Sequence, residues 1–486
     1  AFRHHFKNVE REPSSQPNII PRSKMSPGGE IPWSTRRTRG LETKKTSGQT
    51  KPHGYPWAFS LGGISCYDSR MLTSEEIRVK FLQFFAVHEH KIVPSSSLIP
   101  SDPSVLLTTA GMQPFKDYYL QPEAAERDFG TRNLTSLQKC FRTSDIDEIG
   151  DERHLTFFEM LGNFSFGGYF KDRAIALAHE FITQELGLRI DYVTIFGGDD
   201  RVAQDEESRK FWQQLGIKDI RECGRADNFW GPTGASGPCG PTTEIYVQGI
   251  EIWNLVFNEY YSSAEGVLTK LATPGVDTGM GLERLTMVVQ GKKNVFDTDL
   301  FGEFGHERVL ADHARAITFL IAEGVRPDSK GAGYILRRLL RRLLVKFNLE
   351  KLKSTTDWMI AKYDERYPEL HETNIFGIVE LENKQFGAAL KLGLKELEKV
   401  GPPDERTAFK LYETYGLPFE VMKDRYPNLQ RTEFDREFAR HQEVSRVGTE
   451  QKFAGGLADH EPQTIKLHTA HHLLLAALQQ ILGKEI

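Results

Sequence analysis

The sequence predicts an α+β fold, an antiparallel sheet flanked by helices over its first half and an all-helical region after it. Two observations carry this reading. Strand-like segments between residues 91 and 260 mostly follow one another without helical crossovers, which argues against a parallel sheet. From about residue 307 onward the apolar residues fall at helical spacing almost throughout. Residues 1–70 belong to neither part. They are rich in Pro, Ser, Gly, Lys and Arg and lack apolar periodicity, so they read as disorder or as a non-native N-terminal extension.

The elements follow in order. Thr73, Ser74, Glu75 and Glu76 make a capping box, and Ile77, Phe81, Phe84 and Phe85 recur at helical spacing, which predicts a helix over 74–88. Strands are predicted over 91–94, 104–109, 135–143 and 155–160. A helix over 174–185, a strand over 192–196, a helix over 204–214 and strands over 244–247 and 251–260 come next. Residues 276–284 read Val-Asp-Thr-Gly-Met-Gly-Leu-Glu-Arg, the end of a strand and the start of a helix. Helices are then predicted over 314–323, 333–347, 375–400 and 406–414. A short segment at 452–461 leads to a last helix over 464–482. The domain divisions expected from this pattern are 1–70, 71–306, 307–450 and 451–486.

Bulk composition narrows the class. A chain of 486 residues is long enough for two to four domains. Its 39% hydrophobic and 27% charged residues suit a globular protein, and no run approaches the roughly 18 apolar residues of a membrane span. A net charge of −5 does not exclude nucleic acid, because an acidic whole can carry a basic face. Cys66, Cys140, Cys223 and Cys239 form no C-x-x-C and no close pair, which points to a reducing, cytoplasmic setting. Met71 reads as the natural start, with 1–70 as translated upstream sequence. The competing reading of that basic, acid-poor segment is an organellar transit peptide.

The chemistry is concentrated in three places. Arg142 follows Cys140 and Phe141, Arg153 opens a stretch running through Phe157, Phe158 and Glu159 to Gly167, and Arg284 closes the 276–284 segment. Two separated arginines, neighbouring aromatic residues and flexible glycines suit a site for a bent nucleoside triphosphate. Attack on its α-phosphate adds charge that a guanidinium stabilises through paired hydrogen bonds. Phe157 and Phe158 point to opposite strand faces, so one can stack on adenine while the other packs in the core. The spacing from Arg153 favours Phe157 for the stacking role. Magnesium is expected on the phosphates, with Glu159 and Glu244 as candidate ligands.

These motifs resemble those of the alanyl-tRNA synthetases, which are class II enzymes, and the resemblance covers residues 72–486. It implies a class II antiparallel catalytic sheet, a helical domain that recognises the tRNA acceptor stem, and the first helix of an editing domain. It implies activation of alanine with ATP and Mg2+ to alanyl-adenylate, then transfer to the 3′ end of tRNA(Ala). Arg142 would hold the α-phosphate and the alanine carboxylate, and Arg284 would lie near the adenine and the terminal phosphate. Asp277 would receive the alanine ammonium. Trp230, Asn254 and Val256 would wall the amino-acid pocket, with Gly279 at its floor leaving room that also admits serine. The loop over 231–244 resembles one that closes over the substrates.

On the predicted 333–347 helix, Arg338, Arg341 and Arg342 share one face and Leu336, Leu339, Leu340 and Leu343 the other. In isolation such a face is a solvated one. The resemblance places it against tRNA phosphates. The chain departs from the family twice nearby. Residues 328–332 read Asp-Ser-Lys-Gly-Ala without the usual Asn, and Glu413 stands where Asp is usual. His468 and His472, at i and i+4, resemble half of the zinc site of the family's editing domain, with His471 between them. Two ligands make no closed site, so little zinc affinity and no editing are expected of this chain. Two other functions compete with this reading, a non-catalytic class II paralogue and a free-standing editing hydrolase. Retention of both Arg142 and Arg284 argues against the first, and the half metal site against the second.

Overall fold

In the computed structural model the described residues are 71–440, apart from residues 103 and 233. The first element, α1 (Ser74–Val87), starts as expected. The Thr73 hydroxyl accepts the Glu76 N–H while the Glu76 carboxylate accepts the Thr73 N–H, and Ile77, Phe81, Phe84 and Phe85 are buried. There follow β1 (Lys91–Val93), α2 (Pro122–Phe129), β2 (Asn133–Phe141), β3 (Phe157–Ser165), α3 (Lys171–Glu180), β4 (Tyr192–Phe196), α4 (Glu206–Gln214), β5 (Ile220–Cys223), α5 (Arg225–Asn228) and β6 (Phe229–Trp230). The long strands β7 (Gly237–Val247), β8 (Ile250–Ser262) and β9 (Leu268–Gly281) come next, and α6 (Leu282–Val289) starts directly from the end of β9. The rest is helical: α7 (Arg308–Ala322), α8 (Gly331–Lys346), α9 (Leu349–Tyr363), α10 (Glu369–Glu372), α11 (Ile375–Val400), α12 (Glu405–Tyr415), α13 (Phe419–Arg425), and residues 431–440.

The sheet runs β1-β2-β3-β9-β8-β7-β4-β5, with β6 paired to β7. Its body is antiparallel, as predicted, but the two edge pairs, β1 with β2 and β4 with β5, are parallel. A helix lies between the strands of each pair, α2 between β1 and β2 and α4 between β4 and β5, which supplies the crossover that parallel pairing needs. The strand expected over 104–109 does not form. That segment turns, with Thr108 donating to the Leu98 carbonyl and accepting from the Phe141 N–H. Pro100 before it and Pro114 after it cannot donate to a ladder and bound the stretch. The sequence reading also does not mark α9 and α13.

One apolar core joins the sheet to the first helices of the helical region. Phe81, Phe181 and Trp253 pack in the same cluster as Leu310, Phe319, Leu339 and Met359. A smaller cluster, built by Leu397, Phe409, Leu411, Phe419 and Phe434, sits beside it. Packing therefore does not break at residue 307, where the secondary structure changes. Helix α7 is the hinge between the two descriptions. Its residues from Leu310 to Ile321 are all buried, including Asp312, His313 and Arg315, so it is a central helix rather than a surface one. Among the described residues no helix is long and apolar enough to cross a membrane. Residues 1–70 and 441–486, with the helix expected over 464–482 and both His468 and His472, lie outside the described residues.

Candidate active site

The site is built from strand register. On β8 and β9, Asn254 pairs with Gly279 and Val256 with Asp277, so alternation puts all four side-chain positions on one face. On β3, Phe158 and Met160 share a face by the same rule. These residues, with Arg142 just past β2, Trp230 on β6, Glu251 on β8 and Arg284 on α6, line a cavity of about 270 Å³. Gly279 is required by close approach. A Cβ there would lie 2.9 Å from the Met160 sulfur, which itself accepts the Gly111 N–H at 3.1 Å.

Charge in this cavity is arranged in an unusual way. Asp277 is 5% exposed, and among the described residues no donor reaches its carboxylate. Burial pushes its pKa up to about 8. The Asn254 amide donates to Glu244 at 3.2 Å, while its own buried oxygen has no partner. Burial, and then the charge on Glu251, push Glu244 up to about 7. Arg142 is half-buried, its guanidinium lies 5.0 Å from the centroid of the Phe158 ring, and among the described residues it forms no ion pair. Arg284 reaches Glu251 at 3.0 Å. The cavity therefore offers a buried acceptor pair, Asp277 and Asn254, and a guanidinium not committed to any carboxylate. A buried charge without a partner is costly, and a ligand of opposite charge removes that cost.

A family model described as class II (A) tRNA synthetases matches residues 76–473. The alanine–tRNA ligase of Treponema pallidum is 41% identical over 482 residues, an alignment taking in 85% of this chain and 79% of the relative. That of Treponema denticola is 40% identical over 485 residues, with 86% and 80% covered. The chain belongs to the alanine–tRNA ligase family of class II tRNA synthetases.

Most of the residues expected for this family's site gather in the one cavity: Arg142, Phe158, Trp230, Asn254, Val256, Asp277, Gly279 and Arg284. Others do not. Phe157 is the core residue of its pair, fully buried and stacked on Phe319 at 4.1 Å with an interplanar angle of 10°. The alternation of β3 assigns the cavity face to Phe158, so the spacing from Arg153 misleads. Glu159 shares the Phe157 face and is also fully buried. Arg78 and the Tyr367 hydroxyl occupy its oxygens. Burial alone would raise its pKa, but the Arg78 guanidinium holds it below the usual range. It is not available to ATP or to a metal ion.

The arginine face of α8 is also revised. Arg338 pairs with Glu420 and with Asp147, Arg341 with Glu382 at 2.9 Å, and Arg342 with Asp424 at 3.0 Å. Arg341 and Arg342 are buried, so this face is an interior one whose charge is already neutralised. Arg337, at the side, is half-buried, and with Tyr334 and Tyr412 it lines a second cavity of about 80 Å³. Glu413 lies exposed on α12. The sequence reading misses Met160 and Glu251 as cavity residues. Period-two alternation from Phe158 was the signal for Met160.

Proposed function

We propose that the cavity is the alanine-activating site of an alanine–tRNA ligase, and the observation that carries this is Asp277. Family membership and the family's motifs support ligation of alanine to tRNA(Ala). A carboxylate buried without a donor, opposite Val256 and above Gly279, suits the ammonium of a small amino acid. The residues around it leave space for a methyl group. Phe158 and Arg142 then line the side where ATP would lie, with the Phe158 ring for the adenine and Arg142 for the α-phosphate.

In this reading the alanine carboxylate oxygen attacks the α-phosphorus, the bond to the β-phosphate breaks, and pyrophosphate leaves. Arg142 bridges the amino-acid carboxylate and the α-phosphate and stabilises the charge that develops between them. The terminal ribose hydroxyl of tRNA next attacks the adenylate carbonyl, and AMP leaves. Asp277 and Arg142 supply position and charge, and no side chain forms a covalent intermediate.

Mg2+ bound to the phosphates would neutralise their charge and orient them. Glu251, which lines the cavity and meets Arg284 through one carboxylate oxygen, fits a cation that takes only one or two protein ligands and completes its shell from phosphates and water. The helical region, α8 and the segments around α12 and α13, is the proposed platform for the tRNA acceptor stem. Arg337, Tyr334 and Glu413 are its accessible side chains there.

The test is alanine-dependent ATP–pyrophosphate exchange with serine, glycine and proline as comparisons. Exchange with alanine, weaker with serine and absent with proline, is expected. Folded protein that exchanges with none of them overturns the reading.

A further inference from the structure

The α8 arginines wrap around the turn that carries Arg142. Arg142 directly follows β2, and the 3-10 turn Ser144–Asp147 comes next. On one side, the Arg142 N–H donates to the Thr156 carbonyl at 2.9 Å. Thr156 donates its own N–H and hydroxyl to the Asp312 carboxylate at 2.8 and 2.6 Å. Asp312 accepts from His313 Nδ1 at 2.8 Å, and His313 Nε2 accepts from Arg342 Nη1 at 3.1 Å. On the other side, the same Arg342 nitrogen donates to the Ile146 carbonyl at 3.1 Å. Asp147 next to it is held by Arg338 at 3.0 Å and by Arg431 at 2.6 Å. The network thus begins and ends on residues 142–147.

Its interior is dry. Asp312 and His313 are fully buried and Arg342 is 2% exposed. Hydrogen bonds there compete with little water, and removing one partner leaves another stranded. Burial keeps His313 neutral by lowering its pKa, against the pull of Asp312, so Nδ1 donates and Nε2 accepts. That is the arrangement the chain of hydrogen bonds requires.

We propose that Arg342, backed by the Asp312–His313 pair, is a positioning residue that sets the placement of Arg142 against ATP. This rests on the reading that Arg142 grips the α-phosphate. Arg342 does not touch Arg142 directly and acts through the Ile146 carbonyl and through Thr156, just before β3. Displacement of a phosphate-binding guanidinium by about 1 Å costs on the order of 10²-fold in rate. Val256 and Asp277 hang from β8 and β9, outside the network, so the effect falls mainly on ATP and leaves the alanine ammonium site in place.

The experiment measures ATP–pyrophosphate exchange by the full chain, varying ATP and alanine separately, in Arg342→Ala, Arg342→Lys and Asp147→Asn, with Arg142→Ala as reference. Arg342→Ala is expected to lower kcat/KM for ATP by about tenfold or more while the alanine KM changes by much less, since Asp277 still holds the ammonium. Arg342→Lys recovers part of the loss, because an ammonium can serve one of the acceptors. Asp147→Asn shifts the same parameter in the same direction by less. Folded Arg342→Ala and Asp147→Asn proteins with unaltered ATP parameters overturn the proposal, as does an equal rise in both KM values. If Arg342→Ala does not fold, Arg342→Lys decides: a smaller loss in the same ATP parameter supports the proposal, and an unaltered one overturns it. Retained exchange in Arg142→Ala would instead remove the underlying reading of Arg142, whereas an inactive Arg142→Ala beside a normal Arg342→Ala defeats the positioning role only.

Discussion

Asp277 and Glu420 are both carboxylates almost wholly withdrawn from water, at 5% and 2% exposure, yet they behave as opposites. Burial would raise Glu420, but Arg338 and Arg431 close on it and hold it well below the usual carboxylate range. Burial also raises Asp277, and with no cation nearby its pKa reaches about 8. The arginines divide in the same way. Arg142 faces a cavity without a carboxylate partner, whereas Arg338, Arg341 and Arg342 each meet one. The comparison teaches that burial of charge does not mark a binding site by itself. A buried charge whose partner is missing from the protein does, because only a ligand can complete the pair.

The sharpest way to break this contrast is to remove an unpaired charge. Arg142→Ala is expected to lower alanine-dependent ATP–pyrophosphate exchange by roughly 10²–10³-fold with little change in thermal stability, since no described residue loses an ionic partner. A fall in stability without a fall in exchange would reverse its assignment.

Arg341→Gln tests the paired side. It leaves Glu382, which is 3% exposed, with only the 4.0 Å contact to Arg337, and should cost about 3 kcal/mol of unfolding free energy in a denaturant titration. It should leave the salt dependence of tRNA binding unaltered. A residue in contact with phosphate would instead reduce that slope by about 1.

Asp277→Asn separates binding from stability. The alanine KM should rise by roughly 30-fold or more, with the ATP KM unchanged. The sign of its pH effect follows from the raised pKa. In the folded protein Asp277 stays protonated up to about pH 8, against an ordinary value of 3.8. Its burial therefore costs nothing near pH 3, progressively more as pH rises from about 4 to about 8, and no more above that. The variant should melt higher than the parent at pH 8 and above, and at the same temperature below pH 4. The same proton links to substrate. Alanine should displace it, so affinity rises with pH toward 8 and calorimetry at pH 7 in buffers of different ionisation enthalpy should detect proton release. Binding without proton exchange would show that the ammonium lies elsewhere.

The smallest expected effect distinguishes the two phenylalanines. Phe158→Leu should raise the ATP KM about fivefold, the scale of a lost ring contact. Phe157→Leu should leave that KM alone and lower stability, since its ring stacks on Phe319.

Much of this was legible in the sequence because it depends on neighbours in the chain. The capping box at Thr73, the period of α7, α8 and α11, and the strand-to-helix switch at Gly281 are decided within a few residues. So is the placement of Asp277 and Gly279 on one strand face, since alternation fixes it. The resemblance to a family then supplied Arg142, Arg284 and the pocket residues. Tertiary structure alone decided the direction of β3, which turned Phe158 inward to the cavity and Glu159 toward Arg78. It alone decided that the basic stripe of α8 is interior. Arg338 meets Asp147 across 191 positions of sequence and Glu420 across 82. A helical period reveals which residues share a face but not what that face meets, because the partner that neutralises a charge is chosen by packing over long separations.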